Sequence, residues 1–405
     1  MAGLKLRALA QNLCLSAASI AACLIAGELL LRVLARHAKG GKEQQERQRY
    51  TLSDPVLGWR KTPGAQVVYD RRDFHSEFRI NPKGLRGPER GFQKPSGVAR
   101  VLALGDSFTE AFMVNDESML TTQLESKLTA RGCRVEVING GTVGYSTDQQ
   151  YLFYRHDGRR YASDVVIVFL YHNDLPYLPV ERYSGLNKPR LDFETEPPTV
   201  ANLPVPAQDP GPERPLAPPP PLRGSHLLEF AKERLETGAP RSYARLAGLG
   251  LLEPLRLLPM NDELWLYHVP KMRHTWPYWS ALTYTLQALS REVARDGARL
   301  LVAYIPSRME IDRRDWDRTW LRHGVVASEF LAEAPGDEVR LTLQRIGVPF
   351  LDLRPSLRAA NGTLTPVFYR TDSHWNAHGQ KVAAAATADA LGSRGLLPGC
   401  GAGRR

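Results

Sequence analysis

The alternation of short, mostly apolar runs with segments of helical spacing most constrains how this chain can fold. Between residues 99 and 395, runs of strand length are followed in turn by helical patterns. The run at 165–170 is apolar throughout, as expected for a strand whose two faces are both covered. Strands that alternate with helices predict an α/β fold, a doubly wound parallel sheet. The predicted strands are 101–104, 135–138, 165–170, 300–305 and 349–353, and the predicted helices are 117–130, 147–160, 277–296, 327–346 and 377–391.

Two other regions flank or interrupt this pattern. Residues 37–98 are interpreted as a polar juxtamembrane tether at 37–50 and a small β-rich lead-in at 51–98, where turn signals lie between short apolar alternations. An insertion at about 175–275 interrupts the sheet domain of residues 99–395, and half of residues 204–221 are prolines. Such a stretch is stiff and extended. It is either a passive surface loop or an arm over the site that serves as a lid or docks a partner.

The N-terminal residues 1–36 are interpreted as a membrane anchor. Residues 13–34 are mostly apolar, broken by Glu28 and Arg32, and this length approaches the roughly 20 residues of a transmembrane helix. A cleaved signal peptide is the alternative, and the residues before Cys23 resemble a lipoprotein processing site. By analogy with other signal anchors we expect a single-pass protein with a periplasmic or extracytoplasmic catalytic domain. A count of flanking positive charges favours the cytoplasm instead.

Charge and cysteine content exclude other classes of protein. The net charge is +10, but the sequence has no zinc-finger spacing and no basic stretch interleaved with aromatic residues, so we expect no nucleic-acid partner. Four cysteines are too few for a disulfide scaffold. Cys133 and Cys400, the two that follow the apolar segment, could pair, and the sequence leaves this open.

Gly105-Asp106-Ser107 directly follows the first strand of the predicted sheet. Ligands bind at the carboxyl ends of strands in open α/β sheets, so a serine here would point into the crevice. A helix N-terminus also favours developing negative charge. The structural alternative is a serine that only caps the helix.

Two further blocks follow the next two strands. The run from Asn139 to Gly144 contains three glycines, which would let backbone amides approach an oxyanion. Asn173 follows the third strand, and its side-chain amide could donate to the same oxyanion. Taken alone, each block also fits an ordinary turn.

The final block contains Asp372, His374 and His378. A histidine base needs a partner on its second ring nitrogen, and Asp372 is close enough in sequence to serve. The alternative is a zinc site, because His374 and His378 are four residues apart. The glutamate of the zinc-hydrolase motif is absent, since Trp375 follows His374.

These blocks together resemble the GDSL/SGNH hydrolase superfamily, over residues 100–392, and the resemblance implies a flavodoxin-like three-layer fold. It implies Ser107 as nucleophile, His374 as base and Asp372 as its partner. The amides of Ser107 and Gly144 and the side chain of Asn173 would form the oxyanion hole, without metal or organic cofactor. This chain departs from the family in having Tyr171 in place of glycine and Asp-x-His in place of Asp-x-x-His. The Leu57-Gly58-Trp59 and Gly84-Leu85-Arg86-Gly87 motifs resemble the lead-in of membrane-anchored bacterial members.

The function implied is that of a serine esterase of the bacterial envelope that cleaves a small acyl ester such as an acetylated sugar. An O-acyltransferase with the same catalytic residues is one alternative. A catalytically silent binding or scaffold protein is another, and the presence of all four blocks argues against it.

Overall fold

The structure is a computed structural model that describes residues 2–37, 50–208, 225–252, 260–269, 272–323, 325 and 327–399. The chain forms two compact units. One comprises Met1–Lys42 and Pro212–Arg256, and the other comprises Glu43–Gly211 and Leu257–Arg405. The described residues 225–252 of the predicted insertion therefore fall in the same unit as the described residues of the N-terminal segment.

The described elements are numbered in chain order. The strands are β1 Thr51–Asp54, β2 Gly58–Lys61, β3 Gln66–Asp70, β4 His75–Arg79, β5 Ala99–Gly105, β6 Val135–Asn139, β7 Val165–Tyr171, β8 Arg182–Tyr183, β9 Leu186–Asn187, β10 Leu191–Asp192, β11 Thr199–Val200, β12 Arg299–Ile305 and β13 Phe350–Asp352. The helices are α1 Ala2–His37, α2 Ser107–Glu110, α3 Leu120–Ala130, α4 Thr147–His156, α5 Asp174–Tyr177, α6 His226–Gly238, α7 Pro240–Gly248, α8 Asp262–Trp265, α9 Met272–Arg295, α10 Arg308–Ile311, α11 Arg313–His323, α12 Ala334–Arg345, α13 Arg354–Ala360 and α14 Ala377–Ser393.

The central sheet has five strands in the order β13-β12-β7-β5-β6, and every neighbouring pair is parallel. Numbered within the sheet this is 2-1-3-4-5, the flavodoxin-like order of a doubly wound fold. The predicted parallel sheet with flanking helices is therefore confirmed. The strand order reverses between β5 and β7, so the crevice expected to hold a ligand lies at their carboxyl ends.

Alternate residues of the strands face two separate hydrophobic cores. Leu102 and Val166 pack with residues of α4, α9 and α12, whereas Val101 and Ile167 pack with residues of α3, α13 and α14. The helices thus cover both faces of the sheet, and a strand buried on both faces carries an unbroken apolar run. Burial of one such side chain is worth about 1.5–3 kcal/mol, so this packing fixes the strand ends that carry the site.

The lead-in forms two antiparallel hairpins, β1–β2 and β3–β4. Tyr69 and Phe78 share a third core with Phe112 and Met113, which closely follow α2. Arg86 is buried and donates from Nη1 to the carbonyl oxygen of Glu110 (3.1 Å). The lead-in therefore packs directly against the segment that follows Ser107.

The predicted membrane anchor falls on helix α1. Residues 13–34 lie within α1, but nowhere in the described parts of the chain is a helix both long and apolar enough to cross a membrane. The transmembrane helix is therefore not supported. Glu28, which interrupts the apolar run, pairs with Arg32 (2.7 Å) and accepts hydrogen bonds from Ser225 Oγ and Leu227 N, both at 2.8 Å, at the start of α6.

Two other sequence interpretations, the proline-rich stretch and the cysteine pair, involve residues that are not among those described. Residues 209–224, which hold most of the proline-rich stretch, are not among the described residues, so its predicted role as an arm or a loop stays a prediction. Cys133 is disulfide-bonded. Cys400, with which the sequence left a pairing open, lies outside the described residues.

Candidate active site

Ser107 is the first residue of α2, immediately beyond the carboxyl end of β5. Asp106 caps this helix, because its side chain accepts a hydrogen bond from Phe108 N (2.9 Å). The cap is thus supplied by the residue before Ser107, and the serine hydroxyl is left for another contact. Burial raises the pKa of Asp106 to about 6.

The structure brings Ser107, His374 and Asp372 together in one hydrogen-bonded chain. Ser107 Oγ lies 2.8 Å from His374 Nε2, and His374 Nδ1 lies 2.6 Å from Asp372 Oδ1. Ser107 and His374 are 267 residues apart in the sequence. Both ring nitrogens of His374 are engaged by these partners, which argues against the zinc alternative. His378 lies in the first turn of α14.

The Asp-x-His spacing has a local explanation. Asp372 Oδ1 accepts both from the backbone N–H of His374 (2.8 Å) and from its ring Nδ1. One carboxylate oxygen therefore fixes the backbone and the ring of the same residue. The rings of Phe108 and Phe112 lie against the His374 ring, with centroids 4.8 and 5.2 Å away.

Asp372 is held in its charged form. Burial alone would raise the pKa of its carboxyl, but the hydrogen bonds from His374 and the charge of Arg308 outweigh burial and place that pKa below its ordinary value. Asp372 is therefore a carboxylate at neutral pH. A carboxylate in this position orients the imidazole and stabilises the imidazolium that forms during acyl transfer.

The glycine block forms a loop beside α2. Thr142 N donates to Gly105 O (3.1 Å), and Val143 N donates to Glu110 Oε2 (2.7 Å). Gly144 has a φ of +77°, and a side chain there would come within 2.8 Å of the Tyr183 ring. Gly141 is equally restricted, because a Cβ would lie 2.5 Å from Glu110 N. Glycine is thus required for the loop to approach the nucleophile's helix.

Asn173 follows β7, which pairs with β5 through Gly105 and Phe169. Its side-chain Oδ1 is buried and has no hydrogen-bond partner among the described residues. The next residue, Asp174, is by contrast committed to structure, since its Oδ2 accepts from Thr147 Oγ1 (2.9 Å) and Gln150 Nε2 (3.1 Å). The predicted role of the Asn173 side-chain amide as an oxyanion donor stays a prediction.

His172 lies in the same turn and is buried. Burial lowers its pKa to about 3. Its Nε2 lies 3.8 Å from Glu263 Oε2, and burial raises the pKa of the Glu263 carboxyl.

Several residues that hold this site were missed in the sequence. Lys61 is buried and donates to Gly141 O and to Thr142 Oγ1 (2.8 Å), and Trp59 Nε1 donates to Val143 O (3.1 Å). Burial lowers the pKa of Lys61 to about 8. The Leu57-Gly58-Trp59 motif was the sequence feature that could have indicated them. Trp59 and Lys61 lie on β2, and their hydrogen bonds hold the loop that carries Gly144.

A parallel sheet of this strand order with a Ser–His–Asp chain at its carboxyl edge is the arrangement that the predicted resemblance implies. Residues 262–402 match the family model described as "SGNH hydrolase-like domain, acetyltransferase AlgX", about a third of the chain. The predicted resemblance to the GDSL/SGNH hydrolase superfamily is thereby confirmed, whereas its membrane-anchored type is not. The matched residues include Asp372 and His374 and exclude Ser107.

Solved structures of this class are similar at low identity. The lipase/acylhydrolase from Enterococcus faecalis is 12% identical, with 74% of this chain and 97% of that chain covered and a TM-score of 0.38. The acetylxylan esterase Axe2 from Geobacillus stearothermophilus is 13% identical, with 76% and 97% covered and a TM-score of 0.37. A putative lipolytic protein of the G-D-S-L family from Desulfitobacterium hafniense is 12% identical, with 72% and 99% covered and a TM-score of 0.35. No curated protein matches the sequence.

Proposed function

We propose that this chain is a serine esterase that cleaves a small acyl ester of the acetyl type, carried by a carbohydrate. The observation that carries the proposal is the hydrogen-bonded chain from Ser107 Oγ through His374 to Asp372. His374 takes the Ser107 proton as the oxygen attacks the ester carbonyl, and the resulting oxyanion is held by backbone amides and Asn173. His374 then gives the proton to the leaving alcohol, and water releases the acyl group from Ser107 by the reverse steps.

The small size of the acyl group is supported by the surroundings of Gly144. The Tyr183 ring packs against this glycine, and Trp59 lies on the same side at 3.4 Å from a Cβ built there. If the acyl group lies beside this predicted oxyanion donor, these rings would limit its length. A site that cannot hold a methylene typically discriminates against it by about tenfold or more.

The second candidate is an O-acyltransferase, favoured by the description of the matched family as an acetyltransferase. It would use the same acyl-enzyme at Ser107, with a sugar hydroxyl in place of water as the second nucleophile. The two candidates differ only in what accepts the acyl group from Ser107.

The test is a comparison of acyl acceptors with the full chain. We expect p-nitrophenyl acetate to be cleaved at least about tenfold more efficiently than the octanoate ester. With an acetylated oligosaccharide as donor, free acetate should be the product even when a non-acetylated acceptor is added. Acetyl transfer to the acceptor, with less free acetate, would indicate the transferase. Turnover no higher than that of Ser107→Ala would refute both candidates.

We also propose that the chain is exported and held at the cell envelope. The disulfide at Cys133 supports this, because disulfides persist in oxidising compartments. Large apolar side chains on α1 are exposed, among them Leu15 (65%), Ile20 (61%) and Leu24 (53%), as expected of a helix that contacts lipid or another protein. Alkaline phosphatase fused after Arg405 should be active in a bacterial host, and β-galactosidase at the same place should be inactive. The opposite pair of results would place this domain in the cytoplasm.

A further inference from the structure

Asp73 of the lead-in contacts the loop that carries Asp372 and His374. It lies in the turn between β3 and β4, and its Oδ2 accepts three hydrogen bonds from that loop. The donors are Thr371 N, Thr371 Oγ1 (2.7 Å) and Asp372 N (3.1 Å). One carboxylate oxygen thus binds the backbone of Asp372 itself, 299 residues further along the chain.

Arg308 holds the carbonyl side of the same loop. Its Nη1 donates to the carbonyl oxygens of Tyr369 (3.1 Å), Arg370 (3.0 Å) and Asp372 (3.2 Å). Asp73 and Arg308 therefore bind complementary groups, amides in one case and carbonyls in the other, of residues 369–372. A hydrogen bond to a charged partner is stronger than one between neutral groups. The Asp73 carboxylate and the Arg308 guanidinium therefore both stabilise the loop.

Packing between the lead-in turn and the site reinforces these contacts. Phe74, next to Asp73, lies against the Tyr369 ring with centroids 5.1 Å apart, and Tyr369 Oη donates to Met113 O (2.8 Å). Phe112, beside Met113, contacts both Phe74 and His374, at 6.0 and 5.2 Å between centroids. The turn is therefore part of the packing around His374.

We propose that Asp73 is a positioning residue that sets the Asp372–His374 pair against Ser107, so that the lead-in is a working part of the active site. This rests on the proposed acyl-transfer function. Asp73 acts through Asp372 and does not touch the substrate. A displacement of about 1 Å at a reacting group can cost about 100-fold in rate, so loss of this contact should be visible in kcat.

The kinetic test compares Asp73→Ala, Asp73→Asn and the control Glu77→Gln, a solvent-exposed carboxyl of the same hairpin (68% exposed side chain). Asp73→Ala should lower kcat by about 10- to 100-fold with little change in KM. Asp73→Asn keeps a carbonyl oxygen as acceptor and should recover most of that loss, and Glu77→Gln should match the wild type. A substitution of Arg308 would be harder to interpret, because it would also remove the ion pair between Arg308 Nε and Asp315 (2.8 Å).

A double mutant separates positioning from a general loss of structure. In an Asp372→Ala background, Asp73→Ala should reduce kcat by no more than about twofold, because the residue through which it acts is already gone. Full additivity, a change confined to KM, or wild-type kcat in Asp73→Ala would overturn the proposal.

A spectroscopic arm does not depend on turnover. In Ser107→Ala protein, the proton of the 2.6 Å hydrogen bond between His374 Nδ1 and Asp372 should give a far-downfield proton resonance. Adding Asp73→Ala should shift or broaden this resonance, and adding Glu77→Gln should not. If no ester is turned over by the wild type but this resonance still responds to Asp73, the proposed function fails and the positioning role stands. An unchanged resonance in folded Asp73→Ala protein would refute the positioning role.

Discussion

Replacement of Ser107 by alanine is expected to abolish ester cleavage and leave the fold intact. The hydroxyl makes its hydrogen bond to His374 Nε2 (2.8 Å), and Asp106 already caps α2, so little structure depends on the oxygen. Loss of the nucleophile in a serine triad can cost about a millionfold in kcat. Turnover of p-nitrophenyl acetate and the thermal melting temperature should be measured on the same preparation.

The matched control for this variant is Ser373→Ala. Ser373 lies in the catalytic loop between Asp372 and His374 and is exposed. Its replacement should leave turnover within a small factor of the wild type. If Ser107→Ala keeps full turnover, or if Ser373→Ala is the inactive variant, the nucleophile has been assigned to the wrong residue.

The second large effect concerns the two histidines of the final block. His374→Ala should lower the rate of acylation by about 100- to 10,000-fold, the usual contribution of a general base. His378→Ala should lose little, because His378 lies in the first turn of α14, whereas both ring nitrogens of His374 are engaged with Ser107 and Asp372. Asp372→Ala should fall between them, since the carboxylate orients the imidazole and does not itself take the proton.

The acylation rate constant should be measured in the three variants after each has been shown to fold. A severe effect of His378→Ala would mean that the block has been assigned in the wrong register. Equal losses in both histidine variants, together with a rate that responds to added zinc, would restore the metal alternative.

The sheet could be predicted because its strands are buried on both faces. The apolar run at 165–170 became β7, Val165–Tyr171, almost without change. The helix predicted at 327–346 instead begins at Ala334, with a short 3₁₀ turn at Ala327–Glu329 before it. Pro335 explains the shift, because proline favours the first turn of a helix and disrupts its interior.

The order of the site blocks was predictable for the same reason, since each follows a strand whose carboxyl end lies at one edge of the sheet. Asp73 was not predictable. It is one of several charged residues in a surface turn, and no local pattern connects it with a loop 298 residues away. Arg308 likewise gave no signal, because its three acceptors are backbone carbonyls, which leave no trace in side-chain spacing.

The role of the lead-in could be found only from its contacts in the fold. Its Leu57-Gly58-Trp59 motif could be noticed but had no assigned chemistry. The contacts of Trp59 and Lys61 with residues 141–143, and of Asp73 with residues 371 and 372, show that its two hairpins reach both loops of the site. Removal of residues 51–79 would therefore remove contacts that hold both loops of the candidate site.

Covalent labelling measures directly whether Ser107 is an activated nucleophile. A fluorophosphonate probe should form a single adduct, and mass spectrometry of the digested protein should place it on Ser107. The adduct should be absent in Ser107→Ala and should form far more slowly in His374→Ala, while His378→Ala is labelled at the wild-type rate. An adduct on a different residue, or labelling of Ser107 at the same rate with and without His374, would contradict the account.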